Sequence, residues 1–283
     1  MLNGIFAAAI TVAIWGLTFV FTKSLLDIFT PVEILFIRFM LGTIALMIAM
    51  PRKLKTRGWN EEKYLIVAGF TGIFLYYFLE NVSMLWTSAS NAGVIVSTAP
   101  FFTALLSKEK KGWCFFAGFA AAITGIAMIS LSSLDFSIES LKGDLLALSA
   151  AFVWAFYAIA SKKIAGFGYS PLLTVRRSFI YGMAFMLVPL LLWNNIGTER
   201  DIFTFGNIAG LSFLGLAASA LCFVLWNIAV EKLGPVKTSI FIYLVPVITV
   251  AASAVFLNEP VTLLSAAGTL LTLFGLFLSG FRK

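Results

Sequence analysis

Apolar residues in this chain fall in runs of about twenty, separated by short polar segments. At a rise of 1.5 Å per residue, a helical run of this length crosses a hydrocarbon core of about 30 Å. The alternation typical of barrel strands is absent, so the pattern predicts membrane-spanning helices. We predict ten spans, at residues 4–22, 31–50, 63–80, 91–107, 113–131, 144–161, 171–192, 207–229, 236–256 and 261–280.

The composition leaves little room for a soluble domain. Of the 283 residues, 60% are hydrophobic and 12% are charged, about half the charged fraction of a soluble protein. The sequence contains no histidine, and its two cysteines lie within apolar runs. We therefore predict no catalytic residues, no metal site, no cofactor and no disulfide framework.

Basic residues are distributed unequally between the two sides of the predicted bundle. Fourteen lysines and arginines lie on the side of the N-terminus, whereas only Lys23, Lys142 and Arg200 lie on the other. Because cytoplasmic loops are enriched in these residues, both termini are predicted to be cytoplasmic, in a multi-pass protein of the cytoplasmic (inner) membrane. The net charge of +7 therefore reflects membrane orientation, and no nucleic-acid partner is predicted.

The two halves of the chain resemble each other when one is written over the other. Offsets of 139, 146 and 150 residues pair Trp15 with Trp154, Thr18 with Tyr157, Arg38 with Arg177, Asn81 with Asn227, Ser97 with Tyr243, Pro100 with Pro246, Gly118 with Gly268 and Gly125 with Gly275. These matches predict two repeats, 1–135 and 142–283. Each repeat has an odd number of spans, five, so the halves are predicted to be inverted around a central cavity.

The order of several short motifs resembles the drug/metabolite transporter superfamily, and within it the EamA-type ten-helix permeases. The motifs are Trp15-Gly16, Pro31 to Arg38, Pro100 to Glu109, Pro246 to Glu259, and the paired glycines of spans five and ten. The resemblance implies an inverted 5+5 bundle that exports or exchanges amino acids, related metabolites, nucleotide-like compounds or toxic analogues. The nine-residue spacing from Pro100 departs from the commoner thirteen, so span four is predicted to be about one turn short.

Polar and aromatic side chains deep in the spans are the candidate substrate-binding residues, because such groups suit a mostly apolar cavity. They are Trp15, Thr18, Tyr76, Tyr77, Asn81, Ser97, Trp154, Tyr157, Asn227 and Tyr243. Two alternatives stay open at this stage. Tryptophan and tyrosine also mark membrane interfaces, and a buried asparagine also ties helices together.

Two prolines and two arginines are candidate gating or structural residues. Pro100 and Pro246 are predicted to interrupt spans four and nine, freeing carbonyls toward a cavity. Arg38 and Arg177 lie about seven residues inside spans two and seven, where an arginine is costly. They could clamp a carboxylate or phosphate, cap helix-end carbonyls, or pair with a nearby acid (Glu33 or Asp144). The matched positions favour structure or gating.

Glu80, at the predicted outer end of span three, is the remaining gating candidate. It is interpreted either as a proton site or as a solvated loop edge. The four-helix multidrug relatives couple to protons through a glutamate deep in span one, and span one here has none.

The predicted function is secondary transport by alternating access, with export of small amphipathic metabolites such as amino acids. The absence of a Walker motif argues against direct use of ATP. The alternatives are a non-transporting receptor or scaffold, and a proton-coupled carrier of drugs or nucleotide-like metabolites. An intramembrane enzyme is disfavoured because no polar dyad lies at depth. The predicted partners are a small-molecule substrate and the lipid bilayer, and a monomer or weak dimer is expected.

Overall fold

The computed structural model describes residues 2–106, 112–132, 138–192, 202–234, 238 and 240–279, and within these ranges it contains helices and no strands. The helices are α1 (Leu2–Leu25), α2 (Pro31–Ala49), α3 (Trp59–Ser83), α4 (Ala89–Leu106), α5 (Trp113–Ser132), α6 (Ile138–Ala165), α7 (Pro171–Leu192), α8 (Phe205–Leu233), α9 (Phe241–Phe256) and α10 (Leu263–Ser279).

Seven of the described helices, α1–α4 and α6–α8, are long and apolar enough to cross a membrane. The helices α5, α9 and α10 are apolar but shorter. An all-α membrane protein was predicted, and this class is confirmed. The predicted end of span four at residue 107 borders the segment 107–111, which lies outside the described residues together with Glu109.

Helix α6 differs most from its predicted span, because it extends from residue 138 to 165 rather than from 144 to 161. Its first turns carry polar side chains, and for that reason the sequence predicted a loop there. Two of them, Ser140 and Asp144, are buried, and Asp144 Oδ1 accepts a hydrogen bond of 2.6 Å from Thr87 Oγ1. Tertiary partners therefore keep this polar segment helical.

Helices α3 and α8 each contain a π-helical segment, Gly69–Leu75 and Phe213–Leu221. The 146-residue offset places the first segment on residues 215–221, inside the second. Such widened turns occur often at functional sites. A β-carbon at Gly72 would lie 2.1 Å from the Tyr157 ring, so this glycine allows α3 and α6 to approach closely.

Both predicted proline interruptions are present. In α4, the α-helix Ala89–Val96 ends at a turn through Ser97 and Thr98, and a second one, Ala99–Leu106, contains Pro100 as its second residue. In α9, a 3-10 segment precedes an α-helix that begins at Val245, so Pro246 is again the second residue. Proline is tolerated at these positions because a first-turn N–H has no helical partner.

The core lies where α1, α2, α3, α6 and α8 meet, and its centre is aromatic. Helices α5 and α10 pack chiefly against each other. At the start of α2, Glu33 belongs to a capping box in which the Thr30 N–H donates to Glu33 Oε2 over 2.7 Å. That carboxylate therefore caps its own helix.

Candidate functional site

The centre of the bundle holds a cluster of aromatic side chains from both halves of the chain. The Trp15 ring of α1 lies 5.8 Å from the Trp154 ring of α6, edge to face. The Trp154 ring lies 4.7 Å from the Tyr76 ring of α3, and Phe223 of α8 lies 5.8 Å from Trp15. Perpendicular and tilted contacts of this kind are the preferred geometry of aromatic pairs.

These rings surround a small space, which we call the central cavity, of about 40 Å³. Its lining includes Trp15, Thr18, Tyr76, Tyr77, Glu80, Ser97 and Trp154, together with Ile242 and Val245 of α9. Seven side chains that the sequence singled out, from four separate spans, therefore meet at one place. The central cavity is much smaller than the roughly 300–1,000 Å³ of typical ligand pockets, so the helices must move apart before it admits a substrate.

The polar groups of Thr18, Ser97 and Trp15 at the central cavity are each held by a backbone carbonyl. Thr18 Oγ1 donates to the Trp15 carbonyl over 2.7 Å, and Ser97 Oγ donates to the Val94 carbonyl over 2.5 Å. The Trp15 indole N–H donates across the bundle to the Ala218 carbonyl, 3.0 Å away in the π segment of α8. The interface alternative for Trp15 is therefore wrong, because this ring is buried at the centre.

Glu80 also belongs to this site, and its interpretation as a solvated loop edge is wrong. The residue is 1% exposed, and its carboxylate accepts a hydrogen bond from the Tyr76 hydroxyl one turn earlier. The helix α3 continues to Ser83 instead of ending at residue 80. Glu80 therefore points into the bundle at a depth that the sequence alone did not indicate.

Tyr157 and Asn227 lie on one side of the central cavity, around a second space of only about 10 Å³. The Tyr157 hydroxyl hydrogen-bonds to Ser161 and Asn227. Asn227 Nδ2 also donates to the Phe223 carbonyl over 2.7 Å. These two predicted residues are thus brought together, but they do not line the central cavity.

Asn81 and Tyr243 lie elsewhere. Asn81 Nδ2 donates to the Pro31 carbonyl over 3.1 Å and so ties α3 to the start of α2, which is the structural alternative for this residue. Tyr243 packs with Phe101 and Leu276 in a separate cluster. The 3-10 segment at the start of α9 turns Ile242 rather than Tyr243 toward the cavity.

Arg38 is 1% exposed and is held by neutral partners. Its Nε donates to Ser219 Oγ over 2.6 Å, and its Nη2 donates to the Tyr77 hydroxyl over 3.3 Å. The guanidinium carbon lies 4.2 Å from the centre of the Tyr77 ring. Sequence reasoning missed Ser219, although a serine in the apolar run of span eight was a signal for it.

Arg177 has a different environment from its counterpart Arg38. Its side chain is 40% exposed, and its Nε lies 2.7 Å from Glu62 Oε1 at the start of α3. The Tyr181 hydroxyl donates to the same oxygen, and Thr56 Oγ1 donates to the other carboxylate oxygen over 2.7 Å. We call Glu62, Arg177 and Tyr181 the latch, because they join the two halves of the chain. Sequence reasoning missed Glu62 as the partner of Arg177 and named Glu33 or Asp144 as the acids with which the arginines could pair.

Two further contacts surround the latch. Arg176, rather than Arg177, donates to the carbonyl oxygen of Met50, the C-cap of α2, and also to that of Arg52 in the segment that follows. The Tyr169 hydroxyl, in the loop between α6 and α7, donates to Glu61 Oε2 over 2.5 Å. That hydrogen bond to the carboxylate raises the pKa of Tyr169, since ionisation would place two negative charges together.

The opposite end of the bundle is joined by Glu259, in the loop before α10. Its carboxylate accepts the backbone N–H groups of Ala89 and Ser90 over 2.8 and 3.0 Å, and the Ser90 hydroxyl over 2.5 Å. Lys23 Nζ donates to the nearby carbonyl oxygens of Met84 and Thr87. Beside Glu259 lies an open cavity of about 440 Å³.

Among the described residues, histidine, cysteine, aspartate and glutamate form no cluster of three that could hold a metal ion. The site therefore consists of aromatic faces, hydroxyl groups and one carboxylate. Such an arrangement can bind and release an amphipathic molecule.

A model of the EamA-like transporter family matches the chain twice, over residues 2–131 and 141–281. The chain belongs to the EamA-like transporter family. It is thus a multi-pass membrane transporter, and the resemblance read from the short motifs is confirmed. Membership of this family indicates that the site belongs to a transporter rather than to an enzyme.

Relatives from bacteria and archaea match nearly the whole chain. A protein of Archaeoglobus fulgidus, described as an uncharacterized transporter, is 28% identical, with 96% of this chain and 95% of that protein covered. A probable amino-acid metabolite efflux pump of Salmonella typhimurium is 29% identical, with 98% and 95% covered. A probable terminal-alkyne amino-acid exporter of Streptantibioticus cattleyicolor is 27% identical, with 98% and 93% covered.

A crystal structure of a protein 17% identical in sequence superimposes with a TM-score of 0.70, covering 97% of this chain and 94% of that one. At this identity the similarity concerns the fold alone.

Proposed function

We propose that this EamA-family protein is a secondary transporter that exports amino acids or related amphipathic metabolites across the cytoplasmic membrane by alternating access. The observation that carries the proposal is the central cavity, whose lining comes from α1, α3 and α4 of the first half and α6 and α9 of the second. A site between two similar halves can face either side of the membrane when the halves rock.

The inverted arrangement of repeats 1–135 and 142–283, with ten spans and cytoplasmic termini, is part of the proposal. The two family-model matches divide the chain near the same place. The π segments of α3 and α8, and the proline interruptions of α4 and α9, occur at positions related by one offset. These matched irregularities support the proposal that the two halves are structural repeats of each other.

The latch and Glu259 are proposed to act as the two gates. Glu62 and Arg177 join α3 to α7 on the side that carries most of the basic residues. Glu259 joins the loop before α10 to the start of α4 at the other end. Each contact links the first half to the second, so alternating access requires each to open in turn. We propose that Arg38, Pro100 and Pro246 shape the parts of the helices that lie between the two gates.

The substrate class is proposed from two sources. The central cavity offers aromatic faces with a few polar groups, which suits a molecule with an apolar side chain and a polar head. The relatives named for amino-acid metabolite efflux and amino-acid export share almost the full length of the chain. Amino acids with bulky apolar side chains meet both conditions.

Efflux from liposomes tests the proposal. Purified protein is reconstituted, the vesicles are loaded with labelled amino acids, and efflux is measured for the wild type, for Trp154→Ala and for Phe156→Ala. Trp154 lies in the cavity, whereas Phe156 lies on the same helix and is 40% exposed. We expect saturable efflux that only Trp154→Ala weakens, by about tenfold or more for a loss of at least 1.4 kcal/mol. Equal efflux from all three proteins would contradict the proposed site.

A proton-coupled carrier is the second candidate, because Glu80 is a carboxylate buried at the cavity. The same vesicles, with an imposed pH gradient, distinguish the two mechanisms. Acceleration by the gradient that Glu80→Gln abolishes would establish coupling through this residue. Unchanged efflux would favour facilitated diffusion or exchange.

A further inference from the structure

We infer that the central cavity recognises its substrate by a primary ammonium group, with the Glu80 carboxylate as the binding residue. This inference rests on the proposed function and specifies the chemistry of its substrate. We expect the ammonium group to contribute more to recognition at this site than the free carboxylate does.

Three hydroxyl groups of the cavity, those of Thr18, Ser97 and Tyr76, present acceptors to a ligand. Thr18 and Ser97 each direct their single hydroxyl hydrogen to a carbonyl of their own helix, over 2.7 and 2.5 Å. Their oxygen lone pairs are what remains for a ligand, since a hydroxyl has one donor and two acceptor sites. The Tyr76 hydroxyl hydrogen is likewise directed to Glu80. An ammonium group, which has three donors and no acceptor, complements such a lining.

The Trp15 indole, a further donor of the lining, is also engaged. The Trp15 indole N–H donates to the Ala218 carbonyl over 3.0 Å. A ligand carboxylate needs hydrogen-bond donors, and the Trp15 N–H is already bonded to a backbone carbonyl. The indole rings of Trp15 and Trp154 instead offer π faces and edges, and π faces attract a cation within about 6 Å.

The nearest arginine does not reverse this preference. Arg38 interacts with Glu80 electrostatically, but it is absent from the described lining of the cavity. Its guanidinium is fixed by Ser219 and by the Tyr77 hydroxyl, and it lies over the Tyr77 ring. The charged group at the cavity surface itself is therefore the Glu80 carboxylate.

Burial explains why the carboxylate would favour such a ligand. Glu80 is 1% exposed, and a buried carboxylate is costly unless it is paired and hydrogen-bonded. Tyr76 provides one hydrogen bond, and an incoming ammonium would provide a charge-assisted one, the stronger kind. Recognition would then depend on the amine of an amino acid more than on its carboxylate.

Three probes separate the two ends of an amino acid. L-Phenylalaninamide keeps the ammonium and lacks the carboxylate, N-acetyl-L-phenylalanine keeps the carboxylate and lacks the ammonium, and L-phenylalanine has both. Binding to the detergent-purified protein is followed by tryptophan fluorescence and by the shift in melting temperature. We expect the amide and the free amino acid to bind with similar affinity, and the N-acetyl compound to bind at least about tenfold more weakly, as expected for a lost charge-assisted bond.

Variants test the role of Glu80. Glu80→Gln should reduce the affinity for phenylalaninamide by about tenfold or more and remove the discrimination against the N-acetyl compound. Thr18→Val, which replaces the hydroxyl by a methyl group and leaves Glu80 in place, should reduce amide affinity by about threefold to tenfold. It provides the test if Glu80→Gln does not fold. Glu231→Gln, at an exposed position near the end of α8, is the matched control.

The inference is overturned if the N-acetyl compound binds as tightly as the amide, if folded Glu80→Gln keeps wild-type affinity for the amide, or if no probe binds. Liposome efflux distinguishes this failure from failure of the proposed function. Efflux of phenylalanine that N-acetylphenylalanine inhibits as strongly as phenylalaninamide would leave the exporter standing without ammonium recognition. Absence of efflux for every amino acid would instead reject the exporter.

Discussion

Gly125 and Gly268 face each other across the contact between α5 and α10. A β-carbon built on Gly125 would lie 2.5 Å from the Gly268 carbonyl oxygen, and one built on Gly268 would lie 2.6 Å from the Gly125 carbonyl oxygen. A β-carbon built on Gly275 would similarly lie 2.4 Å from the Gly118 carbonyl oxygen. Glycines related by the 150-residue offset thus meet crosswise, as expected of contacts around a two-fold axis.

Alanine at position 268 is expected to force α5 and α10 apart. No flexible side-chain end absorbs the added methyl group, because its nearest neighbour is a backbone oxygen. Overpacking of this kind costs about 1–3 kcal/mol. Gly268→Ala should therefore lower the melting temperature of the detergent-purified protein. Gly206→Ala is the control, since a β-carbon there meets no atom within 4 Å; equal melting temperatures would contradict the close contact.

The hydrogen bond from Arg38 to Ser219 is expected to contribute strongly to stability. Ser219 Oγ accepts from the buried guanidinium and donates to the Leu214 carbonyl over 2.8 Å, inside the π segment of α8. Ser219→Ala would leave both groups without this partner, at a cost of about 1.5–3 kcal/mol for a charged donor. Thermal unfolding measures the loss. Ser149→Ala removes an exposed hydroxyl on α6 and should change the melting temperature little.

Glu259 is expected to hold the first turn of α4 in place. Its carboxylate accepts two backbone N–H groups at a helix N-terminus, where a negative charge is also favourable. Glutamine keeps one acceptor oxygen and loses the charge, so Glu259→Gln should cost about 1 kcal/mol. Hydrogen exchange should accelerate at Ala89 and Ser90, while Glu231→Gln leaves it unchanged. Unaltered exchange at these amides would show that Glu259 does not hold the helix.

Breaking the latch is expected to open the adjacent end of the bundle rather than to unfold the protein. Because the Arg177 side chain is 40% exposed, the ion pair itself is worth only about 0–1 kcal/mol. The effect of breaking the latch is therefore measured as the solvent accessibility of a neighbouring residue. A cysteine introduced as Ser178→Cys, in a background without Cys114 and Cys222, should react faster with a hydrophilic maleimide after Glu62→Gln.

The matched control for the latch is Glu139→Gln, which lies at the opposite end of the bundle beside the open cavity. It should leave the labelling rate at position 178 unchanged. Slower or equal labelling in Glu62→Gln would contradict a gate at the latch. Ser178 is suitable because it directly follows Arg177, is buried, and lines the small space beside Tyr157 and Asn227.

The sequence by itself determined the class of the protein and the regular parts of its helices. Apolar runs of about twenty residues must be helical in a membrane, because backbone polar groups need partners within their own segment. Proline at positions 100 and 246 has no N–H to donate, so both interruptions could be predicted from composition and spacing. The aromatic residues Trp15 and Trp154 could be recognised because they recur at matched points.

Only the tertiary structure decided which polar groups serve the cavity, because a side chain's partner can lie far away in sequence. Glu80 is adjacent to Asn81, yet the first lines the central cavity and the second ties α3 to Pro31. The matched arginines diverge in the same way, since Arg38 is buried against Ser219 and Arg177 is half exposed beside Glu62. These differences depend on how each helix is rotated and on which distant segments pack against it. The periodicity of apolar residues along the sequence predicts neither.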